Sequence, residues 1–178
     1  MQVQRSKIRF TETPERPIRG IGLKDWAALG MWIGFCLFVG WLGSFATMEG
    51  MRVWYPSLAK PSWTPPNGVF GLVWTILYAL MGTAAWLVGR QPHPYERRTA
   101  LALFGIQLFF NLSWSVLFFG LRSTGMGLAM VVVLWLSIAY CIYAFTKLSK
   151  PAAILMAPYI GWVTFAAMLN FAIWRMNP

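Results

Sequence analysis

The sequence predicts an all-α integral membrane protein built as a bundle of five transmembrane helices. Three observations carry that reading. Hydrophobic residues make up 58% of the 178-residue chain and charged residues only 11%, against the roughly one quarter usual in soluble domains. The charges are segregated: 26–48, 61–89, 99–121, 123–146 and 151–174 contain none. Each run reaches the roughly 20 residues that a helix needs to cross a hydrocarbon core. None shows the alternation over about ten residues that marks a membrane strand.

Residues 1–25 form a basic, polar tail, "MQVQRSKIRFTETPERPIRG" and its continuation, expected to be flexible and held at an anionic lipid surface. The first span, about 26–48, is longer than the roughly 7–15 apolar residues of a signal peptide and lacks a small-residue cleavage site, so it reads as retained. It contains Gly30-x-x-x-Gly34, a spacing that lets helix backbones approach, within the chain or between two copies. The loop 49–67 holds "WYPSLAKPSWTPP" (54–66), with two tryptophans, a tyrosine, four prolines and a lone lysine. Prolines fix φ and remove donors, and aromatic rings supply rigid contact area, so the stretch reads as a lid or an interfacial belt. The second span runs at about 68–89 and the third at about 99–120. The short turn "GLRSTG" makes the third and fourth (about 126–147) antiparallel neighbours, and "KLSKP" leads into the fifth, about 152–174. No internal repeat is visible, and an odd number of spans opposes the inverted repeats of many transporters.

The formal charge of +10 invites a nucleic-acid partner, but its distribution points to the lipid bilayer instead. With five spans, Arg5, Lys7, Arg9, Arg16, Arg19, Lys24, Arg90, Arg97, Arg98, Lys147 and Lys150 fall on one side. Arg52, Lys60, Arg122 and Arg175 fall on the other. The positive-inside rule then places the N-terminus in the cytoplasm of a plasma (inner) membrane; for an outer or organelle membrane the rule does not carry over unchanged.

No Asp, Glu, Lys, Arg or His falls inside a span, which opposes ion- or proton-coupled transport. The single histidine, His93, sits in a loop between prolines. Cys36 and Cys141 lie in apolar runs, without metal spacing, and read as packing residues. No metal site is expected, and no hydrolytic constellation is available at membrane depth. What the spans do hold is aromatic and amide. Trp26, Trp54, Trp63 and Trp174 suit an interfacial belt. Trp74, Trp114, Trp135 and Trp162 lie deeper and, with intramembrane polar groups, suggest a cavity. Trp74 and Tyr78 share a helix face, as do Asn111 and Trp114, and Tyr159, Trp162, Ala166 and Asn170 form one stripe. Asn111 and Asn170 need partners in hydrocarbon, from a neighbouring helix or from a ligand.

These residues bring a family into view. "WYPSLAKPSWTPPNGVFGLVWTILYALMG", "NLSWSVLFFG" and "APYIGWVTFAAMLNFAIWR" resemble the tryptophan-rich sensory protein / translocator protein (TspO/MBR) family over about 26–175. The resemblance implies a five-helix bundle, often a homodimer, with a pocket that opens toward the first loop. It implies ligands such as protoporphyrin IX and haem, with no obligatory cofactor. Carried over, the ligand-binding groups are Tyr55, Trp74, Asn111, Trp114, Trp162 and Ala166. The lid comprises Arg52, Trp54, Lys60, Pro61, Trp63, Pro65 and Pro66, with Arg52 or Lys60 available to guide a carboxylate. The family's sterol-linked pattern is broken here, because Phe171 stands where it has tyrosine, between Leu169 and Arg175; cholesterol is therefore a doubtful partner. Three functions follow from the resemblance: a tetrapyrrole-binding sensory or regulatory protein, in stress response or porphyrin homeostasis; light- and oxygen-dependent porphyrin breakdown, with Trp74 and Trp162 as candidate redox partners; and porphyrin or lipid transport. The first is preferred. Haem proteins commonly use an axial histidine, and no span offers one.

Overall fold

Short polar signals start the helices. In the computed structural model, which describes residues 22–177, five long helices follow one another. They are α1 (Leu23–Glu49), α2 (Asn67–Gly89), α3 (Pro94–Ser115), α4 (Thr124–Thr146) and α5 (Lys150–Met176). The Ser123 hydroxyl accepts the Met126 N–H at 3.3 Å, and that of Ser149 accepts from Ala152 at 3.4 Å. Each serine thereby satisfies one of the amides that a helix start leaves orphaned. Pro94 and Pro151 sit in first turns, where a missing N–H costs nothing. α1, α3 and α5 overrun their charge-free runs, starting among the polar residues just outside the apolar stretch, whereas α2 and α4 lie within theirs. All but residues 22–25 of the tail read at 1–25 lie outside the described residues.

Two departures from plain helix are not legible as such in the sequence. The segment expected to be loop from residue 49 instead stays helical, as a π turn at Gly50–Trp54 and one α turn at Tyr55–Ser57. A second π turn, Val116–Gly120, ends α3. The two turns meet: a Cβ on Gly50 would collide with the Phe119 carbonyl. Non-helical chain, with a turn at 62–63, is confined to the second half of the expected lid.

Around the bundle the order is α1, α2, α5, α4, α3, with α1 closing the ring against α3. Its two ends differ. In the half away from the lid, Met81, Phe104, Leu134, Ile138, Phe145, Met156 and Tyr159 are fully buried and make a continuous core. α1 and α2 close tightly there, since a Cβ on Gly82 would lie 2.6 Å from Ile33 Cα. The half next to the lid is hollow. Among the described residues nothing packs on Gly30 or Gly34: a Cβ on either would meet nothing within 4 Å. Their face of α1, with Met31, Phe38, Trp41 and Phe45, is left to the membrane.

Candidate ligand cavity

The hollow half encloses a cavity of about 600 Å³, within the range of small-molecule sites. α2 lines it with Phe70, Trp74 and Tyr78, spaced i,i+4 and therefore on one face. α3 adds Asn111, Trp114 and Ser115, and α5 adds Ala166, Leu169, Asn170 and Ile173. The two π turns complete it with Met51, Arg52, Phe118 and Phe119. Its rings are ordered against each other. Trp114 stacks on Phe118 at 5.8 Å and 17°, and Trp74 lies 6.5 Å from Trp114 and 5.7 Å from Tyr78. Tyr55 packs on Phe119 at 5.8 Å. Burial pushes the Tyr55 phenol above its ordinary pKa, so it remains a neutral hydrogen-bonding group at physiological pH.

Both intramembrane asparagines find protein partners, as their desolvation demands. The Tyr78 hydroxyl donates to Asn111 Oδ1 at 2.6 Å, and Asn111 Nδ2 donates to the Tyr159 hydroxyl at 3.0 Å. That hydroxyl in turn donates to Gln107 Oε1 at 2.9 Å. The chain of bonds runs from the cavity lining at Tyr78 and Asn111 into the core at Tyr159 and Gln107, and ties α2, α3 and α5 together. Asn170 accepts from Trp114 Nε1 at 3.4 Å and donates to the Thr124 carbonyl at 2.9 Å. These amides hold helices first; what they offer a ligand is what those bonds leave over.

The lid is fastened by two residues. Lys60 Nζ donates to the carbonyls of Tyr55 (2.8 Å), Pro56 (3.1 Å) and Leu58 (2.8 Å) and lies 5.1 Å from the Tyr55 ring centroid. An ammonium has three protons, and all three are used. Lys60 therefore staples the lid's turn, with its protons engaged by the lid's own carbonyls. Asn177 clasps Ala59 from the end of α5, accepting its N–H at 3.0 Å and donating to its carbonyl at 2.9 Å. Nothing in the sequence marks that pairing. Arg52 is the only charged residue in the lining among the described residues, and it is exposed.

A family model, TspO/MBR, matches residues 32–175. This chain belongs to the TspO/MBR family. It is 45% identical over 156 residues to the tryptophan-rich protein TspO of Chlorobaculum tepidum, covering 87% of this chain and 99% of that one. The tryptophan-rich sensory protein of Cereibacter sphaeroides is 40% identical over 149 residues (82% of this chain, 92% of that one). The translocator protein of Homo sapiens is 37% identical over 142 (79% and 82%). With five helices long and apolar enough to span, this TspO/MBR chain is a multi-pass membrane protein.

Of the six ligand-binding candidates, Tyr55, Trp74, Asn111, Trp114 and Ala166 line one cavity in this TspO/MBR protein. Trp162 does not. It packs on Phe70 at 5.8 Å and on Phe165 at 5.3 Å, behind the wall. Trp74 is thus the one candidate redox tryptophan that faces the space. Trp135 is also off the cavity, on the outer surface, donating to Thr164 Oγ1 at 2.8 Å. Among the lid candidates Arg52 reaches the cavity, while Trp54, Lys60, Pro61, Trp63, Pro65 and Pro66 are not in its lining. Trp54 packs on Phe118 at 5.4 Å and Trp63 on Phe165 at 5.7 Å. Phe171 lies on the outer surface, 6.0 Å from Trp174. The sequence reading missed the α1 wall (Leu37, Gly40, Trp41, Ser44, Met48), because a helix that is apolar all round gives no sign of which side faces inward.

Proposed function

We propose that this TspO/MBR protein is a membrane receptor for a flat, amphipathic carboxylate of the tetrapyrrole class, protoporphyrin IX or haem, and acts in a sensory or regulatory role. The supporting observation is the cavity itself. Its broad faces are Trp74, Trp114, Tyr78, Phe118 and Phe119, and its one charge is the Arg52 guanidinium. Rings stack on a macrocycle, and a guanidinium at the mouth suits a carboxylate edge. Among the described residues the lining offers no imidazole or thiolate, and its softest groups are the thioethers of Met48 and Met51. His93 caps α3 at the end opposite the lid. The reading is therefore recognition of the macrocycle, not ligation of its iron.

Protoporphyrin IX is expected to quench intrinsic tryptophan fluorescence saturably. With 11 tryptophans in the chain, the control is decisive: a linear response equal to that in empty detergent micelles would discard the reading.

We further propose an N-terminus in the cytoplasm of an inner membrane, from the eleven basic residues on that side against four on the other. A cysteine introduced near the start of the tail should stay unmodified by an impermeant thiol reagent in intact cells. Rapid labelling would reverse the orientation.

A further inference from the structure

The cavity has walls of unequal exposure. Asn111, Ala166, Leu169, Asn170 and Ile173, from α3 and α5, are buried. The lining residues that are also exposed fall along two edges only. On α1 and the turn after it they are Leu37, Trp41, Ser44, Met48 and Arg52; on α2 they are Asn67, Gly71 and Thr75. Steps of 4, 3 and 4 on α1 and of 4 and 4 on α2 make each set one helical stripe. Two facing stripes, exposed and cavity-lining at once, are the rails of a slot. The slot ends where the helices close, at Gly40 against the Tyr78 ring. On its other flank α1 is sealed to α3, a Cβ on Gly43 lying 3.6 Å from Leu112 and 3.7 Å from Ser115.

The rails are dressed for hydrocarbon. Ser44 Oγ donates to the Trp41 carbonyl at 2.6 Å, and Thr75 Oγ1 to the Gly71 carbonyl at 2.8 Å. Their hydroxyls are satisfied within their own helices, as a lipid-facing position requires. Leu37 and Trp41 lie within the apolar stretch Leu23–Phe45, and Arg52 lies beyond it. Arg52 also pairs with no carboxylate among the described residues.

We propose that this slot is a lateral portal, through which a bilayer-dissolved amphipathic carboxylate passes into the cavity with its acid group led by Arg52. The proposal rests on the tetrapyrrole reading for its ligand but not for its route.

The test is stopped-flow binding of protoporphyrin IX to the full chain in lipid nanodiscs. Gly71→Phe places a ring on one rail, where an added side chain meets nothing within 4 Å; Ser44→Phe does the same on the other. Either should slow association and dissociation together by about tenfold; a slowed dissociation is the mark of a blocked path, since a lost contact speeds it. Asn177→Ala, which unclasps the lid, should leave both rates within about twofold. Faster exchange in Asn177→Ala with no effect of the rail variants would overturn the portal in favour of the lid. If the unaltered protein shows no saturable binding, the tetrapyrrole reading fails by itself. The slot is then read with a fluorophore on Thr75→Cys, Cys36 and Cys141 being buried. Phosphatidylcholine spin-labelled on its acyl chain should quench it better than aqueous iodide; the reverse order would remove the portal.

Discussion

Ala166→Phe is expected to weaken protoporphyrin IX binding at least about tenfold, roughly 1.4 kcal/mol, while leaving the fold intact. Ala166 is the smallest residue on the α5 wall and borders the cavity directly. A ring placed there occupies the room that a flat ligand needs between α5 and the Trp74–Trp114 wall. It enters empty space, so it escapes the roughly 1–3 kcal/mol that overpacking a filled core costs. Affinity and thermal stability are to be measured in the same detergent. Stability collapsing while affinity per folded molecule holds would mean that Ala166 belongs to a helix seam, and would take α5 out of the site.

The largest expected loss of stability is at Gly82. In Gly82→Leu the new Cβ would lie 2.6 Å from Ile33 Cα and 2.8 Å from the Trp32 carbonyl oxygen, both main-chain atoms that no rotamer change can move. Helices in lipid associate through close packing, with little hydrophobic drive between them. Forcing α1 away from α2 should cost about 3 kcal/mol or more, at or above the usual overpacking range. Gly34→Leu, on the open face of α1, is the control and should stay within about 0.5 kcal/mol. Equal melting temperatures for the two variants would show that the α1–α2 contact at Gly82 does not hold the bundle together.

The bundle was legible because membrane solvent imposes a coarse rule: charge-free runs mark where helices cross. Most of the inward wall was legible because aromatic and amide residues recur at helical spacing on α2, α3 and α5. Trp162 shows the limit of that method. A step of three residues from Tyr159 leaves it about 60° off the stripe, enough to turn its ring onto Phe70 instead of into the cavity. The two π turns, one in the lid and one at the end of α3, were not legible, because they meet each other at Gly50 and Phe119 across the fold, and no local residue preference announces them. The bonding of Lys60 was hidden for a related reason. A lysine in a membrane-surface loop reads as a free cation unless one knows that three carbonyls of the same loop converge on it.

The contrast between a solid half and a hollow half also bears on the proposed receptor function. Side chains facing the empty space forgo the dispersion contacts that their counterparts near Met81 and Phe104 enjoy. The unliganded protein therefore stands short of the cohesion its own helices could reach. Whatever fills the space restores those contacts and, by binding only the folded chain, raises its stability in proportion to RT ln(1 + [L]/Kd). On the proposed receptor reading, ligand supply sets the lifetime of the folded protein, a signal that requires no further moving part.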